Sequence, residues 1–69
     1  MKISARNVLK GVVKSLKPGI VNTEVVIELP SGEEIVSVIT LTSAESLGLE
    51  IGKPAYAVIK SSDIIVAID

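Results

Sequence analysis

The apolar side chains of this chain are almost all small and aliphatic, and this feature limits the folds that are open to it. Valine and isoleucine occur ten times each among 69 residues, whereas Tyr56 is the only aromatic residue. β-Branched residues favour strands over helices. A chain of this length buries only about 60% of its unfolded surface, so its core is small. The sequence therefore predicts one small all-β domain spanning residues 1–69.

Several kinds of chemistry are excluded by residue types that the chain lacks. It has no cysteine and no histidine, which rules out disulfides, thiolate metal sites and Cys- or His-based nucleophiles. Seven basic and eight acidic residues give a net charge of −1, unlike the basic field of a general nucleic-acid binder. The adjacent acids Glu33 and Glu34 fall in a predicted hairpin, which is typical of a solvated turn. We therefore expect a protein that is not an enzyme.

Five strands and one short helix follow from the pattern of apolar and turn-forming residues. The strands are predicted at residues 7–16, 20–29, 34–40, 55–60 and 64–68. Thr42-Ser43-Ala44-Glu45 fits a capping box, with Gly48 placed to end the helix. This order predicts an OB-like five-stranded barrel with one short helix between strands 3 and 4. An SH3-like barrel or an open meander also fits the order.

Glycine and proline mark the interruptions and joins of these strands. Gly11 interrupts the first strand, which predicts a bulge or a bend at that position. Lys17-Pro18-Gly19 predicts the turn into the second strand, because proline suits the position before a glycine of positive φ. The second strand alternates in polarity from Thr23 to Leu29, the periodicity of a half-buried strand.

The last predicted strand is apolar at every position: Ile64-Ile65-Val66-Ala67-Ile68. A strand that is apolar on both faces is normally covered on both faces. A small barrel has a single layer, so the outer cover must come from another subunit. Apolar residues make up 48% of the chain, more than so small a body can bury. The sequence therefore predicts self-association.

Two short segments place small hydrogen-bond donors beside a cation. One is Ser4-Ala5-Arg6-Asn7, before the first strand, and the other is Lys60-Ser61-Ser62, after the fourth. Thr40, Thr42 and Ser43 add hydroxyls at the start of the helix, where free N–H groups and the helix dipole favour an anion. Each segment is also explained as an ordinary turn, strand lead-in or cap. Together they offer positive charge, hydroxyls and amides, a set that suits a compact oxyanion.

The same segments resemble those of a known family. Residues 1–11, Met-Lys-Ile-Ser-Ala-Arg-Asn-Val-Leu-Lys-Gly, are similar to the start of the molbindins, small molybdate-binding proteins of the Mop or TOBE domain class. The resemblance continues through residues 19–25, through residues 47–49 with Gly52-Lys53, and through residues 56–62. It covers essentially the whole chain, and the Ser-Ala-Arg-Asn and Lys-Ser-Ser segments together are its most specific part.

The resemblance implies a homohexamer, assembled as a trimer of dimers, that holds molybdate or tungstate between subunits. Separately, we predict no organic cofactor, since Tyr56 is the only aromatic residue that could stack on one. The implied interface site consists of Ser4, Ala5, Arg6, Thr40, Ser43, Lys60, Ser61 and Ser62. A second implied site, near a threefold axis, consists of Asn7, Gly19, Ile20, Val21 and Asn22. The implied role is molybdenum storage or homeostasis.

The expected location is the cytoplasm. The N-terminus lacks the apolar run of a signal peptide, and no apolar stretch is long enough to span a bilayer. We expect no membrane partner and no nucleic-acid partner. Two alternatives stay open at this point: an OB-fold nucleic-acid-binding module, and a purely structural assembly subunit.

Overall fold

A computed structural model describes all 69 residues, Met1–Asp69, as a four-stranded antiparallel sheet with one short α-helix. The elements are β1 (Asn7–Pro18), β2 (Asn22–Glu28), β3 (Glu34–Thr40), α1 (Leu41–Leu47) and β4 (Pro54–Ile59), and a 3-10 helix follows at Ser61–Asp63. The strand order in the sheet is β3-β2-β1-β4. The predicted mostly β fold, with a helix between the third and fourth strands, is confirmed. None of the helices has the length and apolar character that crossing a membrane requires.

The sheet curls around a small aliphatic core. The core consists of Val13 from β1, Val25 and Ile27 from β2, and Ala57 from β4. Alternate residues of β2 are buried, which confirms the face predicted from its alternating polarity. Only seven of the 69 residues are buried, so much of the aliphatic side-chain surface of the chain is left exposed.

Gly11 is buried where β1 packs closely against the backbone of β2. A Cβ atom at this position would lie 2.5 Å from the carbonyl oxygen of Glu28 and 2.7 Å from Cγ2 of Ile27. The bulge that was one of the two predictions for Gly11 is wrong, because the register shift of β1 against β2 lies between Val13 and Ser15. Glycine is required here by the close approach of two backbones.

The turn between β1 and β2 lies later in the chain than predicted. Pro18 is the last residue of β1 and pairs with Thr23. The turn is formed by the residues that follow, and Gly19 N donates to the carbonyl oxygen of Asn22 at 2.7 Å. As a result, β1 is two residues longer than predicted and β2 begins two residues later.

Helix α1 begins earlier than the capping box predicts. Its N-cap is Thr40, whose Oγ1 accepts a hydrogen bond from Ser43 N at 3.0 Å, and Thr42 lies inside the first turn. β3 ends at Thr40 and the helix begins at the next residue, so Thr40 occupies the N-cap position. Its hydroxyl can therefore accept from the free N–H groups of the first turn. Gly48 ends the helix in the left-handed conformation, with φ of 63°, as predicted.

The fifth predicted strand is absent, so the five-stranded barrel is replaced by a curled sheet of four strands. Residues 64–68 belong to no strand, and Ile65 and Ile68 are each 93% exposed. The physical reason is the connection: Ser61–Asp63 is a 3-10 helix, not the tight turn that returns a strand beside its neighbour. Both edges of the sheet, β3 and β4, are therefore unpaired.

Thr23 carries a hydroxyl that has no partner in the core. The residue is 2% exposed, and its Oγ1 makes no hydrogen bond. A buried polar group without a partner costs about 1–3 kcal/mol. Thr23 therefore lowers the free energy of unfolding relative to an apolar residue of the same shape.

We expect Thr23→Val to stabilise the protein by about 1 kcal/mol, because valine removes the unpaired hydroxyl with little change in volume. Thermal unfolding at fixed protomer concentration should show a Tm higher by about 4–8 °C. The control is Thr42→Val, at an exposed position of α1, where the change in Tm should be small. A lower Tm for Thr23→Val would mean that the hydroxyl is hydrogen-bonded in solution.

Candidate functional site

One end of the sheet carries an open cavity that both polar segments line. The β1–β4 ladder begins with Asn7 opposite Ile59, so the residues just before β1 and just after β4 emerge side by side. The cavity between them has a volume of about 490 Å³. Its lining residues are Ile3, Ser4, Ala5, Arg6, Val58, Lys60, Ser61 and Ser62.

The two cations of this cavity have no acidic partner in the chain. The ion pairs of the molecule all involve Lys14, which contacts Glu34 and lies 3.4 Å from Glu28. The hydrogen bond to Glu34, with a further one to Glu28, raises the pKa of Lys14 above its usual value. Arg6 and Lys60 form no such pair, and no carboxylate lines the cavity. Their full charges therefore face the cavity and solvent.

The serine hydroxyls and nearby amides of the cavity are also without partners in the chain. None of the side-chain hydrogen bonds uses a serine of the cavity. The first N–H groups of a helix have no acceptor within it. In the 3-10 helix, the N–H groups that bond back to the backbone are those of Asp63 and Ile64, so those of Ser61 and Ser62 stay free. The cavity thus offers cations, hydroxyls and free amides with no competing carboxylate.

Thr40 and Ser43, the other two residues implied for this site, lie at the opposite end of the sheet. Thr40 pairs with Asn22, and the twelve-residue strand β1 separates this end from the cavity. The Thr40 hydroxyl donates to the Ser43 hydroxyl at 2.8 Å, so both take part in the helix cap. One chain thus brings six of the eight residues together and leaves these two apart.

The residues implied for a second site are divided between the two ends of the sheet. Asn7 is the half-buried first residue of β1 and lies beside the cavity. Residues 19–22 form the β1–β2 turn at the far end, where Leu41 N donates to the carbonyl oxygen of Val21 at 2.8 Å. This turn is therefore a neighbour of the α1 cap and not of Asn7.

Sequence reasoning missed two apolar members of the cavity, Ile3 and Val58. Both look like core residues in the sequence, yet neither belongs to the core cluster or packs against it. A signal was available for Val58: β4 is apolar on both faces, and the face that carries Ala57 is the buried one. The other face was therefore free to line a site.

Comparison with known protein families identifies the family to which this chain belongs. The family model described as the TOBE domain matches residues 3–66, which include both polar segments and part of the C-terminal tail. The chain belongs to the TOBE domain family. The resemblance seen in the sequence is thereby confirmed.

Relatives of this TOBE domain share nearly its whole length. Molybdenum-pterin-binding protein 1 of Clostridium pasteurianum is 50% identical over 66 residues, which are 96% of this chain and 97% of that protein. The solved structure of MopII from Clostridium pasteurianum (apo2) has a TM-score of 0.92 at 48% identity and covers 97% of this chain and 100% of that chain. The structure of the cytoplasmic molybdate-binding protein ModG with molybdate bound has a TM-score of 0.90 at 46% identity, covering 94% of this chain and 46% of that chain.

Proposed function

We propose that this TOBE domain binds molybdate, or the similar oxyanion tungstate, in the cavity between the start of β1 and the 3-10 helix. The observation that carries the proposal is the convergence of Arg6 and Lys60 with three serine hydroxyls in a cavity that no carboxylate lines. The relatives named for molybdenum or molybdate support the choice of ion. Binding of this kind needs neither a catalytic step nor an organic cofactor, and it suits storage or homeostasis of molybdenum.

The absence of a carboxylate from the cavity lining favours molybdate over phosphate. Molybdate at neutral pH is a dianion without protons, so all of its oxygens accept hydrogen bonds. Phosphate at the same pH retains a proton, and no carboxylate lines the cavity to accept it. A serine hydroxyl that accepts this proton no longer donates to the ion, and a hydrogen bond to a charged group contributes about 1.5–3 kcal/mol. Arg6 and Lys60 match the two negative charges of the ion.

The proposal includes a homo-oligomer, with the homohexamer, a trimer of dimers, as its expected form. Thr40 and Ser43 are separated by β1 from the cavity of their own chain, so they would complete it only from a neighbouring copy. The same reasoning applies to Asn7 and residues 19–22, which would meet only across subunits, near the threefold axis. Because each site would take residues from two or more copies, full binding would require assembly.

The exposed C-terminal tail supports the same assembly. An apolar cleft of about 350 Å³ lies between the unpaired edges of β3 and β4, and seven of its eight lining residues are hydrophobic. Residues 64–68 are an aliphatic segment of similar length to β4, and their own chain leaves them exposed. Seated in the cleft of a neighbouring copy, this tail would add the fifth strand and cover both exposed apolar surfaces.

Native mass spectrometry with and without molybdate tests the ligand and the assembly together. We expect a hexamer whose mass increases by bound oxyanions, while phosphate at the same concentration leaves the mass unchanged. Ligand at about 100 times its Kd should also stabilise the assembly by about 2.7 kcal/mol, which a thermal scan detects as a higher Tm.

Two outcomes of this experiment would contradict the proposal. A folded monomer in dilute solution would overturn the assembly. A hexamer indifferent to molybdate would overturn the binding function and favour a purely structural subunit. A tail variant, Ile65→Asp with Ile68→Asp, should dissociate the assembly and leave only the six site residues that one chain supplies, so weaker molybdate binding by this variant would show that residues of a neighbouring copy are needed.

A further inference from the structure

Three of the eight residues that line the cavity are apolar, and two of them, Ile3 and Val58, carry large aliphatic side chains. Ile3 directly precedes Ser4, and Val58 lies on the outward face of β4, where it pairs with Val8 of β1 and is 41% exposed. Neither residue belongs to the core cluster, so packing of the core does not account for them. Their common property is that they face the same cavity as Arg6 and Lys60.

We propose that Ile3 and Val58 form an apolar wall that determines selectivity for molybdate over sulfate. This inference rests on the proposed function, because it concerns the same cavity. The donor groups do not separate these two ions by protonation or charge: sulfate, like molybdate, is a proton-free dianion at neutral pH. Arg6, Lys60 and the serine hydroxyls therefore satisfy both.

The apolar wall discriminates between the two ions because their hydration free energies differ. The same charge on a smaller ion is more strongly hydrated, so sulfate holds its water more tightly than molybdate does. An ion that enters the cavity replaces water with donors on most sides, but the side against Ile3 and Val58 receives no hydrogen bond. Losing water from a polar surface without a compensating hydrogen bond is unfavourable. The loss is larger for sulfate, so the wall penalises sulfate more than molybdate.

The position of Ile3 distinguishes this role from a role in seating the tail of a neighbouring copy. Val58 also lines the apolar cleft between β3 and β4, so its aliphatic character serves the proposed seat of a neighbouring tail as well. Ile3 lines the oxyanion cavity but not that cleft. It precedes β1 and takes no part in the strand ladder, so its replacement leaves the sheet intact. Substitution of Ile3 therefore tests the proposed selectivity without changing the proposed seat of the tail.

The test is isothermal titration of the full-length assembly with molybdate and, separately, with sulfate. We expect Ile3→Thr and Val58→Thr each to lower the ratio of sulfate Kd to molybdate Kd by about tenfold, chiefly by tightening sulfate, because the new hydroxyl donates to the bare side of the ion. The matched control is Val12→Thr, which replaces a strand valine of similar exposure, 43%, outside the cavity. Its ratio should equal that of the parent.

The possible failures are distinguishable. A parent assembly that does not bind molybdate contradicts the proposed function itself. A parent that binds molybdate and sulfate equally overturns the wall, since there is then no selectivity to explain. A parent that prefers molybdate, with the same ratio in Ile3→Thr, overturns it as well, whatever Val58→Thr does.

Discussion

Arg6→Met and Lys60→Met are each expected to weaken molybdate binding by about 10- to 100-fold. A hydrogen bond to a charged partner contributes about 1.5–3 kcal/mol, which corresponds to that range of Kd. Methionine retains an unbranched apolar chain and removes only the charge and the donors. The double variant should lose measurable binding, because a dianion is then held by hydroxyls and amides alone. Isothermal titration of the assembled protein gives the Kd values.

The control for these variants is Lys10→Met. Lys10 is on β1, and its Nζ lies 5.9 Å from the ring centroid of Tyr56 and outside the cavity. Its loss removes the same net charge from the chain without removing a donor from the site. We expect molybdate affinity close to that of the parent. If Arg6→Met and Lys60→Met behave like this control, the oxyanion binds elsewhere on the protein.

Gly11→Ala is expected to destabilise the fold by about 3 kcal/mol, because an added Cβ makes a closer contact at Gly11 than at any of the other four glycines. The added Cβ would lie 2.5 Å from the Glu28 carbonyl oxygen, which belongs to the backbone of β2 and has no rotamer to change. Overpacking of a tight contact costs about 1–3 kcal/mol and occasionally more. In a domain of this size the Tm should fall by about 12 °C or more. Thermal and urea unfolding at fixed protomer concentration measure the change.

Gly32→Ala is the matched control for the Gly11 variant. Gly32 has φ of 94° in the β2–β3 turn, and no atom lies within 4 Å of an added Cβ. Its substitution strains the backbone without any clash, at a cost of about 1–2 kcal/mol. We expect Gly11→Ala to be clearly the less stable of the two. The reverse order would mean that β1 and β2 can move apart at little cost.

Local features of this protein followed from the sequence alone. The bounds of β3 agree with the prediction, as do the buried face of β2 and the Gly48 cap. Each depends on residues close together in the chain: alternation of polarity along a strand, or a glycine that tolerates the left-handed conformation. Both donor segments were found for the same reason, since Ser4-Ala5-Arg6 and Lys60-Ser61-Ser62 are contiguous.

The tertiary structure was needed to show which of these segments lie next to each other in space. The β1–β4 ladder joins segments more than fifty residues apart and makes the cavity, while β1 keeps Thr40 and Ser43 at the other end. Composition predicted that residues 64–68 are covered on both faces, but it did not show that the chain leaves them exposed and in no strand after the 3-10 helix. Strand pairing depends on contacts between residues that are distant in the sequence, and the local pattern of a strand does not identify the strand with which it pairs. The role of Gly11 and the wall of Ile3 and Val58 became visible for that reason only once the strands were in register.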